Sequence, residues 1–377
     1  MNIEWKYLNF EDCLDKFPRY SKIAKNKFLI EGEYPIISQE KDYINGYWNE
    51  EKDVIKIAKP VVIFGDHSKV VKLIDFDFVA GADGVKIFQP IKEINAKYLF
   101  YFLQNVKLDD LGYARHYRLL KQKYVPIPSL PIQHQIVEKL DAAFEAIDRA
   151  KANLEKNIQN AKELFQSKLN ELFLQKGEGY EECKLQDVLL KTKNINPKDF
   201  EEREYKYVDV SAVNRNSLKI EEFIYINAVN APSRARKQIF ENDIIFATVR
   251  PTLKRVCVIS DEFDNEICST GYVVLRSNQK IIIPKIIFYF LQTAKFMNSM
   301  EKLQKGASYP AVTDGEVKSQ IIIFSKSLET QQKIVAQLDQ LSAQTESLQQ
   351  KYTQKLQNLE ELRKSILEKA FKGELTN

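Results

Sequence analysis

Three histidines among 377 residues leave little material for a catalytic triad or an imidazole-based metal site. The chain has no G-x-x-x-x-G-K-[ST] phosphate loop and no G-x-G-x-x-G turn. It also lacks the Asn/Asp-Pro-Pro-aromatic tetrad that an adenine-amino methyltransferase needs to hold a flipped base. Residues 196–206 contain Pro, Asp and then Glu-x-Lys, an order that weakly resembles the motif of a metal-dependent nuclease. We interpret this segment as a solvated loop. We therefore expect a non-catalytic chain.

Basic side chains beside predicted turns suit a different chemistry, namely contacts to phosphates and base edges in a major groove. In the first half they are Lys69, Lys72, Arg115, His116, Arg118, Lys121 and Lys123. In the second half they are Arg234, Arg236, Lys237, Arg250, Lys254 and Arg255. Each residue alone is an ordinary solvated charge, but both halves cluster them in corresponding regions. The pattern favours nucleic-acid binding.

The elements that position these residues form a repeated frame. SLPIQHQIVEKLD at residues 129–141 aligns with SLETQQKIVAQLD at 327–339, at an offset of 198 (331 − 133). The offset pairs Gln133 with Gln331 and Asp141 with Asp339, and it still pairs Phe173 with Phe371. A gapless register over this length indicates a duplicated architecture.

Both copies read as long amphipathic helices, with apolar residues at alternating steps of three and four. At 1.5 Å rise per residue, such a helix is a rod of roughly 65 Å. A rod with one apolar stripe needs a partner, and we expect the two copies to pair with each other. The spacing alone does not distinguish parallel from antiparallel pairing.

Two globular segments precede the two rods. Residues 59–90 and 240–277 alternate β-branched and aromatic runs with turns, which predicts strands, and residues 94–105 and 284–296 predict matching aromatic helices. The second copy gains ten residues before its rod, and we place the gain in loops at 303–320. The predicted order is a globe at 1–131, a helix at 132–176, a globe at 180–328 and a helix at 329–373.

Composition sets the remaining expectations. A net charge of +4 permits nucleic-acid binding without arguing for it. Cys13, Cys183, Cys257 and Cys268 are scattered and suit reduced thiols. No apolar run is long enough to span a bilayer, and the start lacks the plan of a signal peptide, so we expect a cytoplasmic protein without a membrane partner.

Together these features resemble the specificity subunit of Type I restriction–modification enzymes, across essentially the whole chain. The resemblance is carried by the order globe, rod, globe, rod and by P-x-P-S-L-P-I-Q-x-Q-I-V-x-K-L-D at residues 126–141. GDHS at 65–68, FATVRPTLK at 246–254, STGYVVLR at 269–276 and GASYPAV at 306–312 add to it. One departure is Phe324 and Ser325, which replace the usual prolines at the second rod's entry.

The resemblance implies an α+β chain with two mixed α/β target recognition domains and two long helices. The helices would pair as an antiparallel coiled coil in a pseudo-twofold repeat and set the spacer between two halves of a double-stranded DNA site. Two methyltransferase (modification) subunits would dock, and restriction subunits would join them. This chain would bind no cofactor, with S-adenosylmethionine, ATP and Mg expected on the partner subunits.

The resemblance also suggests which residues face DNA. In the first globe these are Gly65, Asp66, His67, Ser68, Lys69, Arg115, His116, Arg118 and Lys121. In the second they are Arg234, Arg236, Thr248, Arg250, Lys254, Ser308 and Tyr309. Two alternatives stay open: a specificity subunit of a related fused nuclease–methyltransferase, and a coiled-coil scaffold whose globes bind proteins.

Overall fold

The computed structural model describes residues 5–82, 84–109, 112, 114–200 and 203–375. The chain divides into two compact units, Met1–Glu155 with Thr353–Asn377, and Lys156–Tyr352. Each unit is sheet-rich and mixed α/β, which confirms the predicted fold class of two such domains with long helices. Each unit also contains part of both long helices, so the compact units do not follow the linear order of globes and rods.

In the described part of the first unit, ten strands and three helices follow one another in chain order, and only the start of the third helix belongs to this unit. Its elements are β1 Lys6–Asn9, β2 Leu14–Asp15, β3 Tyr34–Ile37, β4 Gly46–Trp48, β5 Val54–Ile55, β6 Val61–Gly65, β7 Val71–Ile74, β8 Phe78–Ala80, β9 Val85–Pro90, α1 Ala96–Asn105, α2 Tyr117–Leu120, β10 Tyr124–Ile127 and the start of α3 Leu130–Leu172. Short 3-10 turns occupy Phe10–Cys13, Lys25–Lys27 and Glu51–Asp53.

The second unit follows with β11 Tyr180–Lys184, β12 Leu189–Leu190, β13 Glu204–Val208, β14 Ile224–Asn227, β15 Ala235–Ile239, β16 Ile244–Ala247, β17 Val256–Val258, β18 Glu266–Ser269, β19 Tyr272–Ser277, α4 Pro284–Phe290, α5 Ala294–Leu303, α6 Asp314–Lys318, β20 Ile321–Ser325 and the start of α7 Leu328–Phe371. Its 3-10 turns are Leu185–Val188, Pro197–Asp199, Ala228–Asn230, Pro251–Leu253 and Asp261–Phe263.

The two units share one sheet topology. In the first, an antiparallel sheet has the order β2-β9-β6-β7, and a second sheet has the order β4-β3-β8-β5, with β3 and β8 parallel. In the second unit the orders are β12-β19-β16-β17 and β14-β13-β18-β15, with β13 and β18 parallel. The strands β6 and β16 are apolar and wholly buried, as central strands covered on both faces must be.

One segment adds a helix that the sequence analysis did not predict, and another differs from its prediction. The second unit contains helix α5, which lies between the aromatic helix α4 and the segment 303–320, and it forms because Phe296, Met297 and Met300 share one buried face. Within residues 196–206, the part from Glu204 onward belongs to strand β13, so its interpretation as a solvated loop was wrong. Its period-two alternation buries Tyr205 and Tyr207, while Glu201 and Glu202 lie outside the described residues.

Helices α3 and α7 pack in opposite directions within the first unit. Asp148 accepts a hydrogen bond from Arg363 at 2.9 Å, and Lys151 pairs with Glu360 one turn further along α3 and one turn back along α7. In the second unit, Leu169 and Leu172 of α3 share an apolar cluster with Leu338 of α7. Among the described residues, no helix combines the length and apolarity needed to cross a membrane.

A buried glutamine fixes each long helix to its own sheet domain. Gln133 donates to the carbonyls of Glu93 and Pro128 and accepts from the Asn95 backbone N–H, at 2.8–2.9 Å. Gln331 donates to the carbonyls of Ile281 and Ser325 and accepts from the Ile283 N–H over the same distances. The junction is therefore built alike in both units, although Phe324 and Ser325 replace prolines.

An aspartate about two turns after each glutamine also makes the same contacts in both units. Asp141 accepts a hydrogen bond from Tyr101 at 2.5 Å and pairs with Lys97 at 2.7 Å. Asp339 accepts from Tyr289 at 2.6 Å and pairs with Lys285 at 2.6 Å. Burial is the main reason why the pKa of each tyrosine is raised, and the hydrogen bond to the aspartate adds to it. The phenols therefore remain donors at neutral pH.

The cysteines are free thiols, as predicted. Cys13, Cys257 and Cys268 are buried and Cys183 is half-buried. Burial raises the pKa of Cys13 and of Cys257 to about 12, and that of Cys183 to about 11. All three are therefore thiols rather than reactive thiolates at neutral pH.

Candidate nucleic-acid interface

In the first unit, the turn between β6 and β7 is held by hydrogen bonds to two other segments. The Asp66 N–H donates to the Gly84 carbonyl at 2.7 Å, and the His67 N–H donates to the Gln39 side-chain oxygen at 3.2 Å. The Ser68 hydroxyl donates to the Gln39 carbonyl at 2.5 Å. A Cβ at Gly65 would lie 2.2 Å from the Ser68 hydroxyl oxygen, so this close approach requires glycine.

The basic segment at 115–121 lies against this turn. The His116 N–H donates to the Asp66 carbonyl at 2.8 Å, and the Tyr117 N–H donates to the Asp66 carboxylate at 2.7 Å, which caps α2. His116 Nδ1 also lies 3.0 Å from the Asp66 carbonyl oxygen. The structure thus brings together two groups of predicted residues that are about fifty positions apart in sequence.

The predicted residues of this region differ in exposure. Gly65, Asp66 and His116 are buried, His67 and Lys69 are half-buried, and Ser68, Arg115, Arg118 and Lys121 are exposed. Lys121 pairs with Glu11 at 2.6 Å and lies over the Tyr117 ring, as Lys86 also does. In the described part of the chain, the side chains of Arg115 and Arg118 make no hydrogen bond or ion pair, so their guanidinium groups remain available to a ligand.

The second unit builds the same arrangement from other residues. The Thr248 N–H donates to the Gly271 carbonyl at 2.8 Å, as the Asp66 N–H does to that of Gly84. The Val312 N–H donates to the Thr248 carbonyl at 2.9 Å, as His116 does to Asp66. The buried Thr248 hydroxyl adds a second bond to Gly271. Thr248 thus occupies the place of Asp66 but provides no carboxylate.

Arg250, Ser308 and Tyr309 form one exposed cluster beside this turn. The Arg250 N–H donates to the Pro310 carbonyl at 2.7 Å, and its guanidinium donates to the Ser308 carbonyl at 3.2 Å and lies 4.8 Å from the Tyr309 ring centroid. Tyr309 is 70% exposed. Arg250 (φ 50°) and Lys254 (φ 56°) are both left-handed and flank the 3-10 turn Pro251–Leu253. This geometry fixes the exposed Arg250 guanidinium beside the Tyr309 ring.

Three further predicted basic residues of the second unit have different environments. Arg234 is exposed, and its carbonyl accepts from the Thr270 N–H, next to Gly271. Arg236 is half-buried and donates to Asn196 and to the Ser233 carbonyl. Lys237 donates to the Tyr272 carbonyl and to Asp314, both within its own unit. Of the three, Arg234 is the most open to a ligand.

Sequence reasoning missed two features of this region. Lys72 was grouped with the surface bases, but it is buried and its ammonium donates to the carbonyls of Asp42 and Tyr43, and burial lowers its pKa to about 8. The loop after β3 or β13 was not considered, although it supports each turn. Gln39 packs against Gly84 in the first unit, and Val210 packs against Gly271 in the second.

The arrangement in each unit is suited to binding an anion and reading hydrogen-bond acceptors. Exposed Arg and Lys side chains lie beside a turn that backbone hydrogen bonds hold in place, so the turn is preorganised. Guanidinium groups bind phosphates and the O6/N7 edge of guanine. Within the described residues, no cluster of His, Cys, Asp and Glu is arranged to hold a metal ion.

Comparison with known proteins identifies similar sequences. Residues 2–160 and 177–358 match the family model described as the Type I restriction modification DNA specificity domain. The chain is 32% identical over 142 residues to the specificity subunit of the Type I restriction enzyme EcoR124I/EcoR124II of Escherichia coli, covering 33% of this chain and 35% of that protein. It is 26% identical over 171 residues to the HindI specificity subunit of Haemophilus influenzae, covering 44% and 36%.

Among solved structures, the HsdS subunit from Thermoanaerobacter tengcongensis is 35% identical, with a TM-score of 0.43, over 45% of this chain and 44% of that one. The type I R-M system S subunit from M. genitalium is 16% identical, with a TM-score of 0.40, over 98% and 96%. The chain spans between 35% and 62% of the length of the curated relatives it matches.

Proposed function

This chain belongs to the family of the Type I restriction modification DNA specificity domain, and we propose that it is a DNA-recognition subunit. Each unit reads one half of a two-part double-stranded site with the exposed residues around its β6–β7 or β16–β17 turn. The family match covers both units, and the curated relatives it resembles are specificity subunits of Type I restriction enzymes.

One observation carries the proposal most directly. The two units share the backbone hydrogen bonds of the turn, from Asp66 and Thr248 to a glycine carbonyl, but they present different side chains around it. A common scaffold with different exposed side chains is what recognition of two unlike half-sites requires. In the first unit these side chains are Arg115, Arg118 and Lys121, and in the second they are Arg234, Arg250, Lys254 and Tyr309.

The buried predicted residues take a supporting role in this proposal. Asp66, His116 and Thr248 are buried and expose little surface to DNA. The polar groups of these residues interact instead with backbone groups of the same unit. They position the exposed residues beside them. Gly65 and Ser68 shape the first turn, and Ser68 is exposed enough to reach a phosphate as well.

The long helices join the two reading units in this proposal. The antiparallel contacts of Asp148 and Lys151 with α7 support pairing of the helices as an antiparallel coiled coil that sets the spacer. Two methyltransferase subunits dock on the chain, and restriction subunits join them. The chain itself is non-catalytic and cytoplasmic and binds no cofactor; S-adenosylmethionine, ATP and Mg act on the partner subunits.

Salt dependence tests DNA binding against the alternative of a protein-binding scaffold. We expect the affinity of the purified full-length chain for duplex DNA to fall by about 100-fold between 50 and 200 mM salt, because about four neutralised phosphates release their counterions. Fluorescence anisotropy with a labelled duplex measures it. A salt-independent affinity, or no binding at 50 mM salt, would favour the scaffold. A copurified fused nuclease–methyltransferase would identify the other alternative.

Shortening the helices tests the proposed spacer function. Deleting residues 152–158 of α3 with 353–359 of α7 removes about 10 Å of rod, equivalent to about three base pairs. We expect duplexes selected from a randomised library to have a shorter gap and unchanged half-sites. An unchanged gap in a variant that retains its helical circular dichroism would contradict this role.

A further inference from the structure

The loop that follows β13 is almost twice as long as its counterpart in the first unit. The counterpart, residues 38–45, connects β3 to β4, while residues 209–223 connect β13 to β14. Both loops start in the same way, since Gln39 packs on Gly84 and Val210 packs on Gly271. The additional residues of the second unit form a hairpin closed by the bridge between Val213 and Ile220.

Hydrogen bonds make this hairpin rigid. The Asn214 N–H donates to the Lys219 carbonyl and the Leu218 N–H donates to the Asn214 carbonyl, both at 2.9 Å. The Asn214 side-chain oxygen accepts from the Asn216 N–H at 2.7 Å. The Glu221 carboxylate accepts from Asn214 at 2.5 Å and from the Ser217 hydroxyl at 2.6 Å. The carboxylate nearest the tip is thereby used within the hairpin.

The tip presents two side chains that these bonds do not use. Arg215 and Asn216 are exposed, and within the described residues neither side chain makes a hydrogen bond or an ion pair. An arginine binds O6 and N7 of guanine in bidentate fashion, and an asparagine binds N6 and N7 of adenine. A rigid hairpin holds both at low entropic cost.

The hairpin adjoins the candidate interface. It is anchored where Arg255 donates to the Val210 carbonyl at 3.1 Å and where the Tyr272 hydroxyl donates to the same carbonyl at 3.0 Å. Asn214, Arg215, Asn216 and Arg255 line one cavity of about 220 Å³, together with Glu221 and Glu222. Arg255 directly follows Lys254, which the proposed function assigns to DNA, so the hairpin flanks the proposed DNA-binding residues.

We propose that the hairpin at residues 209–223 is a second DNA-reading element of the second unit, in which Arg215 and Asn216 contact base edges beside those read by Arg250. This inference rests on the proposed function. It gives the second unit a longer half-site than its β16–β17 turn alone would read, and it has no counterpart of equal length in the first unit.

The test compares duplexes selected by the full-length chain from a randomised library. We expect the double variant Arg215→Ala/Asn216→Ala to lose about tenfold to hundredfold discrimination at one or two positions of one half-site, with the other half-site unchanged. The matched control is Gln279→Ala/Lys280→Ala, which also removes an exposed amide and an exposed cation. These residues follow the C-terminal end of β19, whereas the hairpin is anchored at Tyr272 at its N-terminal end, so the control should select the same duplexes as the wild type.

The outcomes separate this inference from the proposed function. If Arg250→Ala changes the selected sequence and the hairpin variant does not, the inference is wrong and the function stands. Uniform weakening of all duplexes by the hairpin variant would also overturn base reading, because phosphate contacts carry no sequence information. If the wild-type chain selects no sequence, the proposed function fails first.

Discussion

Gln133→Leu is expected to destabilise the first unit by about 3–5 kcal/mol. The substitution leaves the carbonyls of Glu93 and Pro128 and the N–H of Asn95 without their buried partner. Each unsatisfied buried group costs about 1–3 kcal/mol, and the cost is smaller for a group to which water can hydrogen-bond instead. The measurement is urea unfolding followed by tryptophan fluorescence. Both tryptophans, Trp5 and Trp48, belong to the first unit, so the signal reports on that unit.

Gln331→Leu is the matched control, because Gln331 makes the same three bonds in the second unit. It should move the circular dichroism transition more than the tryptophan transition. Gln122→Leu, on an exposed side chain, should move neither. A tryptophan transition of Gln133→Leu within about 1 kcal/mol of wild type would contradict the anchoring role of this glutamine.

Arg250→Ala is expected to relax base preference at one position of one half-site by about 1–3 kcal/mol. The guanidinium is fixed by the Ser308 carbonyl and the Tyr309 ring, so it meets a base with little loss of freedom. The measurement is the affinity of the full-length chain for the selected duplex and for its single-base variants. Equal affinities for all variants of that half-site with the wild-type protein would contradict the assignment.

Two control substitutions separate base contact from charge. Arg250→Lys keeps the positive charge but loses the planar fork, so it should lose the base preference while retaining the salt dependence. Lys254→Ala, on an exposed residue at the end of the same 3-10 turn, should weaken all duplexes alike and reduce the salt slope by about 1.

The long helices and their junctions were predictable because their signals are local and duplicated. Gln133 and Gln331, and Asp141 and Asp339, are identical residues at one offset, and they make identical contacts in the structure. The sheet topology was not predictable, since two-residue strands such as β2 and β12 carry no periodic signal and β3 pairs with β8 across some forty residues.

The interpretation of residues 196–206 as a solvated loop was wrong for a physical reason. From residue 204 onward the charged Glu204 and Lys206 alternate with the buried Tyr205 and Tyr207, and this alternation sets the strand. Helix α5 was not predicted as a separate element. Its signal is the buried face of Phe296 and Met300, with Thr293 as its N-cap.

The candidate interface was predictable in composition but not in arrangement. The basic residues were identifiable from sequence, but which of them serve the protein's own structure depends on partners distant in sequence. The Lys72 ammonium donates a hydrogen bond to the loop at 38–45, and the Lys237 ammonium donates one to Asp314, so both groups are already engaged within the protein. The buried carboxylate of Asp66 likewise caps a helix fifty residues away. Such pairings follow from the fold and cannot be read from residue type.

The most direct test is the sequence motif that the whole chain specifies. The full chain, coexpressed with the methyltransferase subunit that the proposed function expects, should direct methylation to a motif of two different halves separated by a gap of fixed length, as read by sequencing of modified DNA. Such a motif is what two reading units on paired helices predict. A single uninterrupted motif, or methylation without sequence preference, would contradict the account.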